Sequence, residues 1–174
     1  MLFNTKSSKL QQRMAASSAG VHRRQEVLRS LQVQTGQTIL DIGCGGGHLL
    51  EDLALAVGEN GKVYGLDPSK AQLETASDRC SRFNNVELLY HPANKTTLAD
   101  NVLDRATSTQ TLEYIQDVDS VLIEIARVLK RRSKFVNVSV LWEHFRFHGP
   151  EIYLNELIHD AFKAHCYHQM LAYE

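Results

Sequence analysis

Cysteine is scarce in this chain: three residues in 174, at positions 44, 80 and 166. An odd number so widely spaced gives no disulfide framework and favours a reducing compartment, so a cytoplasmic protein is expected. Long apolar runs are missing as well. No stretch approaches the roughly 18 apolar residues that a membrane-spanning helix needs, so no membrane partner is expected. The N-terminus, Met1-Leu2-Phe3-Asn4-Thr5-Lys6-Ser7-Ser8-Lys9, lacks the apolar segment of a secretory signal. Charge of one sign is the third lack. Nineteen Lys and Arg against twenty Asp and Glu leave a formal net charge of -1, which gives no basic face for nucleic acid. The short clusters Arg23-Arg24 and Lys130-Arg131-Arg132-Ser133-Lys134 fit a helix C-terminal turn or a solvated face better than a phosphate track.

What is present is ordinary for a globular chain, with 43% hydrophobic and 22% charged residues. The length suits one domain with a proper core. Residues 1–19 are rich in Ser, Lys and Gln and are expected to be a flexible N-terminal segment or a loose first helix. From residue 20 onward a single α/β domain is expected. Val21, Val27, Leu28 and Leu31 fall at helical spacing, and Gly36 ends that pattern. Thr38–Ile42 reads as a strand and the run to about Val57 as a helix, stopped by Gly58-Glu59-Asn60-Gly61. Lys62–Leu66 is a second strand. Ser69 is a plausible N-cap for a helix through Arg82, and Val86–Tyr90 is a third strand. The stretch 91–104 is polar and loop-like, followed by a weak strand at 105–108 and an amphipathic helix from Asp117 to Leu129. Phe135–Leu141 carries the strongest β signal. Leu154, Leu157, Ile158, Ala161 and Phe162 mark a last helix. Strands alternating with helices predict a Rossmann-like three-layer sandwich whose mainly parallel sheet has five strands.

In such a sheet a ligand sits beyond the carboxyl ends of the strands, beside the first one. That edge carries Asp41, the glycine turn Gly43-Cys44-Gly45-Gly46-Gly47, Asp67 after the second strand, Pro92-Ala93 after the third and Thr109-Gln110 after the fourth. Asp67 lies about 20 residues past the turn, where an acidic side chain can accept hydrogen bonds from both hydroxyls of a ribose. A dinucleotide fingerprint would need a third glycine at position 48. His48 stands there instead, which disfavours a nucleotide-dependent oxidoreductase.

The actual pattern, Asp41-x-Gly43-x-Gly45-x-Gly47, resembles motif I of the class I S-adenosylmethionine-dependent methyltransferases. Gly65-Leu66-Asp67-Pro68-Ser69 resembles that family's acidic loop. Leu112-Glu113-Tyr114-Ile115-Gln116-Asp117, running into Glu124–Lys130, resembles the stretch around its fourth helix. The likeness covers roughly residues 20–145. It is nearest to the small-molecule branch with the ubiquinone/menaquinone C-methyltransferases and arsenite-methyltransferase-like proteins.

The resemblance implies S-adenosylmethionine as cofactor and a small organic molecule as methyl acceptor. It places Gly43, Cys44 and Gly45, with Gly47 closing the turn, against the cofactor's methionine part. Asp41 would orient the turn or meet the ammonium group through water. Asp67 would hold the ribose, Pro68 would lie on the adenine face, Pro92 and Ala93 would border the adenine edge, and Thr109 would offer backbone to the methionine side. Methyl transfer needs alignment more than acid–base groups, so no catalytic residue is singled out.

The chain departs from the family at three positions. Pro92 stands where the family usually has Asp or Asn, Leu103 where an aromatic is common, and Arg131-Arg132-Ser133 where Pro-Gly-Gly usually turns. The family's last two strands have no counterpart after Leu141, so the domain is expected to be incomplete at its C-terminus. Its fifth strand is then an open edge through which a homodimer could form. In that alternative the chain is a non-catalytic binding or dimerisation module.

Cys44 reads as a small residue filling the turn rather than a reactive thiol. His159, His165, Cys166 and His168 do not share one helix face, so no metal site is expected. Glu113-Tyr114 and the aromatic stretch Trp142–His148 could touch an acceptor, or could equally be structural.

Overall fold

The strand β1 (Thr38–Ile42) is apolar on both faces because both are covered. Ile39 packs into the core on one side and Leu40 and Ile42 into the core on the other, all fully buried. In the computed structural model, which describes residues 12–140 and 152–165, this strand is the middle of the sheet. Its neighbours are β2 (Lys62–Leu66), β3 (Val86–Leu89), β4 (Leu103–Thr109) and β5 (Leu129–Val138), in the order β3-β2-β1-β4-β5. Every pairing is parallel, with Ile42 level with Leu66 on one side and with Ser108 on the other.

The helices are α1 (Ser18–Leu31), α2 (His48–Val57), α3 (Lys70–Cys80), α4 (Val118–Val128) and α5 (Ile152–His165), with a short 3-10 turn at Leu112–Tyr114. Val27 and Leu31 of α1, Leu50 and Leu53 of α2 and Leu73 and Ala76 of α3 cover one face. Val118, Val121, Ile125 and Val128 of α4 cover the other, helped by Ala93, Leu98 and Val102 from the coil before β4. Each fully buried leucine contributes roughly 1.5–3 kcal/mol of transfer free energy, so these two cores hold the three layers together. Caps fix where two of the helices begin. Ser17 Oγ accepts from Gly20 N at 3.2 Å at the start of α1, and Asp117 Oδ1 accepts from Ser120 N at 3.1 Å at the start of α4.

The three-layer, five-stranded parallel architecture is the one expected. Three details differ. Residues 12–16 are helical, so the described part of the N-terminal segment is a short helix leading into α1. The Arg131-Arg132-Ser133 turn is not a loop between elements but a bulge inside β5, which begins at Leu129 rather than at Phe135. Pairing passes from Leu103 with Leu129 straight to Arg105 with Lys134, and Arg132 takes the left-handed φ of 63°. β5 ends at Val138, and Leu141 lies outside the described residues. Finally, α5 forms where the apolar spacing placed a helix, yet Leu154 and Leu157 are exposed, because no described element packs on that face. The aromatic stretch 142–148, Cys166 and His168 fall outside the described residues, as do the side chains of His159 and His165.

Candidate cofactor-binding site

The chain leaves β1 at Asp41 and Ile42 and turns sharply. Gly43 N and Cys44 N both donate to Leu66 O, at 2.7 and 3.0 Å, which straps the turn to the end of β2. Gly43 has φ +73°, and a Cβ there would lie 2.1 Å from Thr111 Oγ1, so only glycine fits. Gly45 is also left-handed, at φ +52°, but nothing lies within 4 Å of where its Cβ would be. Gly43 is required by its own fold, whereas Gly45 faces open space.

Asp67 joins this turn to the next loop. Its Oδ2 accepts from Gly45 N at 3.0 Å and its Oδ1 from Ser69 N at 2.8 Å. Burial pushes the Asp67 carboxyl up, and the two N–H donors pull it back. A carboxylate has about four acceptor positions, so two remain for a ligand. Asp41 is different. It is 2% exposed and accepts no hydrogen bond from any described residue. Burial first, and the neighbouring Asp67 second, push its carboxyl up to about 7. The role of orienting the turn therefore belongs to Asp67 and Leu66 O, not to Asp41.

Above these groups opens a cavity of about 500 Å³. Asp41, Gly43, Cys44, Gly45, Asp67, Pro68, Pro92, Ala93 and Thr109 all line it. Gly47 does not. It is the left-handed N-cap of α2, and its missing Cβ leaves room for Ala76 at 3.0 Å, so its role is helix packing. Cys44 is buried, and burial pushes its thiol well above the ordinary range, which makes it a filler rather than a nucleophile. The Thr109 hydroxyl is buried with no hydrogen-bond partner among the described residues.

Parallel β2-β1-β4 geometry with an acidic rivet and a glycine turn at the sheet's switch point is the arrangement of a nucleotide-like cofactor site. Residues 34–171 match a methyltransferase domain family. The chain belongs to the S-adenosylmethionine-dependent methyltransferases, class I. It is 36% identical to demethylmenaquinone methyltransferase of Bacillus licheniformis over 107 residues, 62% of this chain and 46% of that one. The same enzyme of Oceanobacillus iheyensis is 36% identical over 115 residues, 65% of this chain and 48% of the relative. A solved S-adenosylmethionine-dependent methyltransferase from Aquifex aeolicus superposes with a TM-score of 0.73 at 25% identity, covering 91% of this chain and 88% of that one. The chain thus spans about half the length of the curated methyltransferases it matches.

The residues present fit the family's cofactor. The open space at Gly45, the unsatisfied carboxyl of Asp41 and the unpartnered Thr109 hydroxyl all face or border one cavity. Several lining residues escaped the sequence reading. Arg23 and Arg24 line the wall made by α1, and their pairing in sequence reads as a helix C-terminal turn or a solvated face. His48 opens α2 with its Nε2 buried and without a partner among the described residues; burial and the nearby Arg79 hold the imidazole below its usual pKa. Its place directly after the glycine turn is the signal that could have found it. Asn94, exposed at the lip beside Pro92 and Ala93, is another.

Proposed function

We propose that this chain binds S-adenosylmethionine in the cavity and transfers its methyl group to a small organic acceptor. The observation that carries this reading is Asp41, a buried carboxyl with no hydrogen bond among the described residues, beside a glycine turn in which the N–H groups of Gly43, Cys44, Gly45 and Gly47 are already used. A buried anion without a partner is costly, and a ligand ammonium would satisfy it. Asp67 would hold the ribose hydroxyls with its two remaining acceptor positions. The backbone of Gly43, Cys44, Gly45 and Thr109 would lie against the methionine part, and Pro68, Pro92 and Ala93 would enclose the adenine. Asn94 would offer the amide that Pro92 lacks. When bound, the cofactor supplies a sulfonium methyl open to direct displacement. The cavity walls contribute alignment and exclusion of water.

Calorimetry with S-adenosylhomocysteine tests the reading. Saturable binding is the expected result, and absence of heat at millimolar ligand would overturn it. Asp41→Asn should weaken binding at least tenfold.

A second reading rests on the sheet order. Among the described residues β5 is the last strand and pairs only with β4. Its outer edge offers unpaired backbone groups, which supports a homodimer built strand to strand, with or without catalysis.

A further inference from the structure

One wall of the cavity stands outside the three layers. Residues 12–16 form a short helix, and its Gln12, Met14 and Ala15 line the cavity. Gln12 Cγ lies 3.7 Å from where a Cβ of Gly46 would stand, so this helix rests on the glycine turn. The chain then bends at Ser17 into α1. Ser17 N and Ser17 Oγ both donate to Met14 O, at 3.2 and 2.6 Å, and Ser17 Oγ accepts from Gly20 N at 3.2 Å.

Two residues of α1 are fitted to this short helix. Gly20 is buried in the first turn, and a Cβ on it would lie 2.3 Å from Ala15 O and 2.5 Å from Met14 O. Its φ is not positive, and alanine would be the better helix former, so the glycine serves the close approach of those two carbonyls. Arg24 supplies the second fit. Its Nη1 donates to Ala15 O at 2.5 Å, and its Nε donates at 2.6 Å to Asp52 Oδ2 on α2. The Arg24 side chain is 15% exposed, so these charge-assisted bonds are sheltered from water. One guanidinium thus ties the short helix and α1 to α2.

Little else holds the short helix down. None of residues 12–16 is buried or belongs to either apolar core, and Met14 is 53% exposed. A segment with so few buried apolar contacts opens at low free-energy cost while the layers beneath it stay folded. Asp41, assigned above to the ligand ammonium, is 2% exposed, so a ligand that reaches it lies inside the other walls, this helix included.

We propose that residues 12–16 are a lid over the cofactor, hinged at Ser17 and latched by Arg24, and that release of the latch sets how fast the spent cofactor leaves. Arg24 is a positioning residue, because it acts through the carbonyl of Ala15. Closure adds Gln12, Met14 and Ala15 to the ligand's surroundings and excludes water from the sulfonium. The inference rests on the methyltransfer reading, since it names how that site opens and closes.

The test uses the whole chain, Arg24→Gln and Gly20→Ala. The first removes the charge that grips Ala15 O and Asp52. The second keeps the latch residue but drives a methyl into the two carbonyls, while helix propensity favours α1. Association and dissociation rates of S-adenosylhomocysteine are measured by surface plasmon resonance. Tryptic cleavage after Arg13 is followed with and without ligand. Dissociation should be about tenfold faster or more in both variants, with association unchanged within about threefold. Ligand should slow cleavage after Arg13 in the natural chain, and both variants should lose much of that protection. Binding that stays intact with an unchanged dissociation rate in both variants would overturn the lid alone. So would cleavage after Arg13 that ignores the ligand. Faster dissociation in Arg24→Gln but not in Gly20→Ala would also overturn it, by giving Arg24 to the ligand itself. Failure of the natural chain to bind S-adenosylhomocysteine would defeat the methyltransfer reading, and the inference with it.

Discussion

Asp41 sets the sharpest expectation at the scale of single residues. Its carboxyl ionises near 3.8 when exposed and at about 7 in the fold. The folded chain therefore holds a proton that the unfolded chain has lost, and stability falls as pH rises from about 4 through 7. For a fully buried carboxyl this is on the order of 4 kcal/mol. Asp41→Asn should flatten that slope and raise the melting temperature at pH 8 while weakening ligand binding; parallel melting profiles from pH 5 to 8 would show that Asp41 is not the group responsible. The same titration affects binding. An ammonium needs the ionised carboxylate, so S-adenosylhomocysteine affinity should fall as pH drops from 8 to 6, and that dependence should vanish in Asp41→Asn.

Gly43 and Gly45, both left-handed, separate stability from binding. Gly43→Ala drives a Cβ to 2.1 Å from the Thr111 hydroxyl at φ +73°, and strain plus overpacking should cost about 2–4 kcal/mol in urea denaturation. Gly45→Ala meets no protein atom within 4 Å. It should cost about 1–2 kcal/mol of stability for the backbone alone, yet weaken cofactor binding more strongly because its methyl enters the cavity. Equal stability losses in the two variants would contradict this account.

At the scale of elements, the coil between β3 and β4 has no helix of its own to hold it. It is anchored to α4 by Glu124, whose Oε1 accepts from Thr96 N at 2.8 Å and Thr96 Oγ1 at 2.7 Å, while Arg127 Nε donates to Oε2 at 2.7 Å. Those donors, the Arg127 guanidinium first, hold the Glu124 carboxyl down at about 2. The stability it contributes is complete above its ordinary range and is lost only as pH falls through about 2. Glu124→Ala removes the acceptor of the Thr96 N–H and hydroxyl and should cost about 2 kcal/mol. Hydrogen exchange should show the Thr96 amide losing protection. Because this coil carries Pro92, Ala93 and Asn94 to the cavity lip, S-adenosylhomocysteine affinity should fall as well. An unaltered exchange rate at Thr96 would remove Glu124 from this role.

For the whole molecule, the sheet order places β1 at the centre and β3 and β5 at the edges. Val136 and Val138 of β5 pack toward one core and Phe135 toward the other, so the strand is supported from both faces while its outer backbone edge stays unpaired among the described residues. Size-exclusion with light scattering at micromolar protein should give twice the monomer mass if that edge pairs with a second copy. A clean monomer would assign the edge to something other than self-association.

Sequence alone determined the sheet, the helices on its faces and the motif at its switch point, because strand and helix periodicity and glycine spacing are local properties. It also picked out nine of the residues that line the cavity, since parallel strands deliver their carboxyl ends to one edge whatever their spacing in the chain. It did not decide the bulge in β5, which depends on how Leu129 and Lys134 must both reach their partners on β4. Nor did it show that Asp67 and Asp41 differ in how their carboxyls are bound: both are acidic residues at the carboxyl ends of short strands. Only the fold shows one carboxyl bound by two backbone N–H groups and the other left buried and unpaired. Arg23 is the clearest case. In the chain it is half of a basic pair on an amphipathic helix. It becomes a cavity residue because α1 packs across β4 and β5, and burial and charge pairing are set by contacts between distant segments rather than by neighbours in sequence.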